Sequence, residues 1–294
     1  MNDFYGYPIR HLSSNFLELD CLATAGPRIV RLKYKGSPNL FAEVPEISIP
    51  TPYGDYHYLG GHRLWYAPES MPRSYIPDGD RLVTSGLPNG LILDGKTESA
   101  TGIHKHIEIR LDPDRPNVTL THTLINEGLW QVELAPWALT MFRLGGTAIL
   151  PLQPANNVFD DLLPNRHFSL WPYSRLNDSR LQLEDEFIVI QAKRDMPPFK
   201  IGAFNPFGWV AYWLGGILFR KTFAVNPDLP HPDYDCNAEI YCDSHFIELE
   251  SLAPLSRLAP GSSVSFVETW ELYDNLEQEF LSKKMIELSI EGAK

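Results

Sequence analysis

The chain has 294 residues, 44% of them hydrophobic and 21% charged, which is long and apolar enough for a sizeable core. Its 37 acidic residues outnumber 25 basic ones, the net charge at pH 7 is -12, and no basic run offsets it; nucleic acid and anionic membrane are excluded as general partners. The N-terminus shows no basic segment leading into an apolar core, and Cys21, Cys236 and Cys242 form no CxxC pair, so reduced thiols and a cytoplasmic location are expected.

Along the chain, period-two alternation and β-rich runs dominate. Phe16 to Leu22 reads as a strand, and Arg28 to Tyr34 as another after a turn at Gly26-Pro27. Glu43 to Tyr58 is proline-rich and reads as a long loop, leading into the glycine-rich segment GGHRLWYAPE at Gly60 to Glu69. His104 to Leu111 and Val118 to Ile125 form a hairpin across the turn-rich DPDRPN, and NEGLWQVELAPWALTMF follows from Asn126. Phe187 to Ala192 is a further strand. The most apolar run, Phe204 to Phe219, is interrupted by Asn205 and Pro206 and reads as part of a buried strand pair, Trp209 to Leu214 and Ile217 to Phe223, rather than a membrane span. A second loop, Asn226 to Asp235, precedes the strands Ala238 to Cys242, Phe246 to Leu252 and Ser263 to Leu272. Only the tail has helical spacing, at Phe280, Leu281, Met285 and Leu288. The expectation is an all-β antiparallel sandwich, one domain over 1–294, with a C-terminal helix at 275–290 whose exposed face offers a surface for a homodimer.

The strand Phe246 to Leu252 puts Glu248 and Glu250 on one face with Phe246, two carboxylates that repel unless a partner or ligand lies between them. In the glycine-rich segment, Arg63 and Trp65 suit a sugar: an aromatic face stacks on the ring and a guanidinium donates to hydroxyls, with His62 as a titratable neighbour. Trp137 is a further candidate platform, although a core tryptophan is the plainer reading. His104, His106 and Glu108 share a strand face, with His122 on the partner strand, but no HExxH or Cys/His signature accompanies them and no metal is expected. The absence of GxGxxG, P-loop and GxSxG motifs argues against common nucleotide-binding and α/β-hydrolase chemistry.

Three segments, GGHRLW, THTLINEGLWQVELAPW and FIELESLAPLSRLAPGSSVSFVETWEL, together with the opening LELDCLATAGPRIVRLKYKG, resemble in their order the galactose mutarotase-like superfamily, which includes the aldose 1-epimerases. The likeness is nearer to mutarotase-like proteins that share the GGHRLW and ELE-x-L-x-P segments. The resemblance implies a β-supersandwich with a carbohydrate across one concave face and no cofactor. It also implies general acid–base ring opening, in which a Glu takes the anomeric proton and a His protonates the ring oxygen. The base maps onto Glu248 or Glu250 and the sugar-binding arginine onto Arg63, and Trp65, His104 and Trp137 complete the candidate substrate-binding set. Where the family has His-Pro-aromatic, this chain has Ala135-Pro136-Trp137, so the acid falls to His62, His122 or His104. A non-catalytic carbohydrate-binding protein, or a lyase or hydrolase on the same scaffold, is the alternative.

Overall fold

The computed structural model describes residues 3–79, 82–153, 162–277 and 287. Short β-branched and aromatic runs, each closed by Gly, Pro, Asn or Asp, give these strands: β1 (Asp3–Phe4), β2 (Tyr7–Ser13), β3 (Leu17–Leu22), β4 (Arg28–Tyr34), β5 (Glu43–Thr51), β6 (Gly54–Ala67), β7 (Val83–Leu87), β8 (Gly90–Asp94), β9 (Ile103–Leu111), β10 (Asn117–Asn126) and β11 (Val132–Arg143). The second half adds β12 (Thr147–Pro151), β13 (Phe168–Leu170), β14 (Leu181–Leu183), β15 (Phe187–Gln191), β16 (Phe199–Ala203), β17 (Trp209–Leu214), β18 (Ile217–Phe223), β19 (Ala238–Cys242), β20 (Phe246–Leu252), β21 (Ser256–Leu258) and β22 (Ser263–Tyr273).

The strands form two antiparallel sheets. The first has 12 strands in the order β1-β2-β3-β4-β6-β11-β20-β19-β16-β13, with β5 on β6 and β21 on β11. The second has 10, in the order β14-β15-β12-β17-β18-β22-β10-β9-β8-β7. The sheets pack face to face, because a single apolar cluster draws Leu64, Ala138, Ile247 and Leu249 from the first and Ile107, Leu120, Phe219 and Trp270 from the second. This is the all-β sandwich expected from the strand pattern. No helix among the described residues is long and apolar enough to cross a membrane. Most of the helix expected at 275–290 lies outside the described residues. Cys21, Cys236 and Cys242 are buried free thiols.

The segment expected to be a loop, Glu43 to Tyr58, is instead a hairpin of β5 and the first part of β6. Pro45 and Pro50 are tolerated because β5 pairs on one side only, with β6, and so lies at an edge. At Gly60 and Gly61, β6 leaves β5 and enters the sheet between β4 and β11. Both glycines have positive φ, +102° and +71°, and a Cβ would lie 2.0 Å from Ala42 O at Gly60 and 2.0 Å from Ile29 O at Gly61. The close approach these glycines permit is therefore to neighbouring strands.

Candidate functional site

From Gly61 onward β6 is buried on both faces, and alternation divides its side chains. Leu64 and Tyr66 join the core between the sheets, while Arg63 and Trp65 emerge on the outer face of the 12-strand sheet. Strand β11 alternates likewise, with Trp137 and Leu139 outward and Ala138 and Phe142 inward. In β20, Phe246, Glu248 and Glu250 face outward while Ile247 and Leu249 enter the core. The registers align Arg63, Leu139, Glu250 and Glu239 in one row across the sheet, and Gly61, Met141, Glu248, Tyr241 and Lys200 in the next.

These rows form the floor of a groove of about 550 Å³. Its walls are largely aromatic, including Tyr58, Trp65, Tyr75, Trp171, Tyr173 and Tyr241. Trp65 meets Trp137 edge-on with centroids 5.3 Å apart, and the Arg63 guanidinium lies 4.4 Å from the Trp65 ring centroid. Lys200 lies 4.7 Å from the Trp137 centroid and 4.4 Å from that of Trp171.

The two glutamates have different surroundings. Glu250 is held through one oxygen: Trp137 Nε1 donates to its Oε2 at 2.8 Å and Lys200 Nζ to the same atom at 2.9 Å. Lys200 also pairs with Glu239 at 2.7 Å. Glu248 Oε1 pairs with Arg63 Nη1 at 2.8 Å. The contact is a buried ion pair, and Arg63 Nε is left as a buried donor without a partner among the described residues.

Two cations, Arg63 and Lys200, thus face three buried carboxylates, Glu239, Glu248 and Glu250. Burial pushes the Glu248 carboxyl up to about 7, opposed by Arg63 and reinforced by Glu250. Burial also raises Glu239 well above the carboxylate range, against the pull of Lys200. Lys200 itself is raised, because Glu239 and Glu250 outweigh the cost of burying its ammonium. The excess negative charge is relieved by holding a proton near neutrality.

Arg63, Trp65, Trp137, Glu248 and Glu250 therefore share one groove. The three histidines considered for the acid do not line it. His62 and His122 lie between the sheets, fully buried, with their Nε2 atoms 2.8 Å apart. Thr140 Oγ1 meets His62 Nδ1 at 2.9 Å, and His122 Nδ1 donates to Phe266 O at 3.1 Å. Burial depresses both imidazoles, which stay neutral. Their ligating atoms and those of Glu268 lie within 4.8 Å of one another. That set is already engaged: the histidines bond each other, Trp270 Nε1 donates to Glu268 at 3.3 Å, and Lys221 Nζ lies 3.2 Å from it. Lys221 Nζ also donates to Ala138 O at 3.0 Å and to Leu249 O at 2.9 Å.

His104 lies on the second sheet, 2.9 Å from Asp94 and 3.3 Å from Glu127, and His106 shares Asp94 at 3.0 Å. His122 is opposite Ile107 in the ladder and points away from that exposed face. Ala135 packs with Trp65 and Trp137 in an apolar cluster. Sequence reasoning missed Lys200, Glu239, Trp171 and His245. Glu239 was readable by alternation within Ala238 to Cys242, whereas Lys200 stands in a short strand behind two prolines that signalled no element.

No protein-family model and no curated protein matches the sequence. Solved structures do resemble it. A candidate aldose 1-epimerase from Escherichia coli K12 superposes with a TM-score of 0.54 at 15% identity, covering 92% of this chain and 100% of that one. A galactose mutarotase-like protein from Lactobacillus casei gives 0.55 at 9% identity, covering 90% and 100%. A candidate aldose 1-epimerase from Klebsiella pneumoniae gives 0.59 at 11% identity, covering 98% and 83%. At these identities the likeness is one of fold: the chain has the galactose mutarotase-like sandwich.

Proposed function

We propose that the groove on the outer face of the 12-strand sheet binds a carbohydrate. The observation that carries this reading is the combination in one cavity of tryptophan and tyrosine walls with a floor of buried ionic groups, in which Arg63 Nε has no hydrogen-bond partner among the described residues. Aromatic faces match the C–H face of a sugar ring, and alternating donors and acceptors match its hydroxyls. The neighbours named as candidate aldose 1-epimerases and mutarotase-like proteins support the reading through the shared scaffold. The test is an NMR or calorimetric titration with a panel of neutral, acidic and phosphorylated aldoses. Saturable binding that weakens at least tenfold in Trp137→Ala and Arg63→Met is expected. No binding across the panel would sink the proposal.

A second reading, mutarotation, is favoured by the place of Glu248 in the groove floor, where burial and Glu250 push its carboxyl up to about 7 against Arg63, the range in which a general base is most effective. Glu248 would take the anomeric hydroxyl proton, while Glu250, held by Trp137 and Lys200, accepts hydroxyls. The ring oxygen would receive its proton from His245, the histidine that lines the groove mouth among the described residues. Saturation-transfer NMR of anomer exchange measures this. Glu248→Gln should abolish acceleration while leaving binding within a few-fold; unchanged rates in that variant would remove the catalytic role and leave the binding one.

A further inference from the structure

Beside the groove lies a second cavity of about 380 Å³, lined by His167, Phe168, Leu170, Trp171, Asp233 and Tyr234. Trp171 lines both cavities, so the two adjoin along one wall. Tyr234 is 89% exposed there. It sits in a turn of three consecutive non-glycine residues with left-handed backbone, Asp233 (φ 53°), Tyr234 (φ 61°) and Asp235 (φ 71°). L-residues disfavour this conformation, and a run of three persists only when the surroundings impose it. Here they do: Ser169 Oγ donates to Asp233 O at 2.8 Å, His167 Nε2 to Tyr234 O at 2.8 Å, and the His231 amide to Asp235 Oδ1 at 2.8 Å. Strained backbone is thus fixed in a form that leaves a large aromatic ring in solvent beside an aromatic-walled groove.

We propose that this cavity is a second sugar subsite, and that the ligand is an oligosaccharide whose neighbouring ring stacks on Tyr234 beyond Trp171. The inference rests on the carbohydrate reading of the groove. Continuity through Trp171 points to a ligand that spans both cavities, and His167, whose second ring nitrogen is not used in its bond to Tyr234 O, supplies a hydroxyl partner beside the aromatics. Calorimetry on the full chain, with glucose and galactose against maltotriose, cellotriose and β-1,4-galactotriose, tests it. At least one trisaccharide should bind about tenfold more tightly than its parent monosaccharide. Tyr234→Phe should keep that advantage. Tyr234→Gly, which removes the ring and accommodates the left-handed backbone, should erase it without changing monosaccharide affinity. Equal affinity for mono- and trisaccharides, or equal weakening of both in Tyr234→Gly, overturns the subsite while leaving the groove reading intact. Binding of neither class overturns both.

Discussion

Glu248 carries a carboxyl into a site where burial penalises its charge more than Arg63 rewards it, with Glu250 adding repulsion. Its folded pKa, about 7, therefore stands above the ordinary carboxylate value of 4.5. A group raised in this way stabilises the fold fully below the unfolded value, and that contribution is lost as pH rises through the folded one. The wild-type protein should lose stability from about pH 4.5 to about pH 7 through this group. In Glu248→Gln the loss should be smaller over the same window, as read from the difference between the two melting-temperature profiles. Lys200 makes the complementary case. It is 3% exposed and stands between Glu239 and Glu250, so Lys200→Met leaves two buried carboxylates without their shared cation. A cost of about 3–5 kcal/mol in urea unfolding is expected. Adding Glu239→Gln to Lys200→Met should recover part of it, because the two changes remove partners of one network and do not add.

Alternation in β6, β11 and β20 decides which side chains meet a ligand and which meet the second sheet. His62 precedes Arg63, and that single step puts it in the core against His122 and Trp270 instead of in the groove. His62→Leu should thus leave sugar affinity within about twofold and cost about 1–3 kcal/mol, because Thr140 and His122 lose their buried partner. Titration and urea unfolding of one preparation separate the two effects. Gly61→Ala is the harsher change: positive φ and Ile29 O at 2.0 Å from the new Cβ set β6 against β4, for a loss of at least about 2 kcal/mol. The same alternation governs what was legible in the sequence. Strands β4, β17 through β20 and β22 show it or are bounded by clear turn residues, and Glu248 and Glu250 were assigned one face correctly. Hairpin β5–β6 was hidden, because prolines at an edge strand look the same in sequence as prolines in a loop. Composition offers His62, His122 and His104 as acids without saying that His62 and His122 are buried between the sheets or that His104 stands on the other sheet. Lys200 was invisible because its meaning lies in Glu239 and Glu250, which only the β16–β19–β20 ladder brings alongside.

The groove belongs to the whole sheet: Arg63, Trp137, Lys200 and Glu248 come from four strands far apart in sequence, so no short segment carries the site. That sheet must hold together in a molecule with a formal charge of -12. Two electrostatic scales then compete. Inside, Lys200, Arg63 and Lys221 are nearly enclosed with their carboxylates and are little affected by salt. Outside, the acidic excess repels itself over distances comparable to the molecule when the Debye length is about 30 Å, near 10 mM salt, and far less when it is about 8 Å, near 150 mM. Exposed pairs such as Arg257–Glu133 and Lys35–Asp274 oppose this trend, but solvent and salt screen them and they contribute little. Net repulsion should win, so the melting temperature at pH 7.5 should rise between about 10 and about 150 mM sodium chloride. Lys200→Met should show a rise of similar size from a lower starting point, because the charge it removes is buried. A melting temperature that falls with salt would mean that surface ion pairs, not the acidic excess, dominate the long-range electrostatics of this fold.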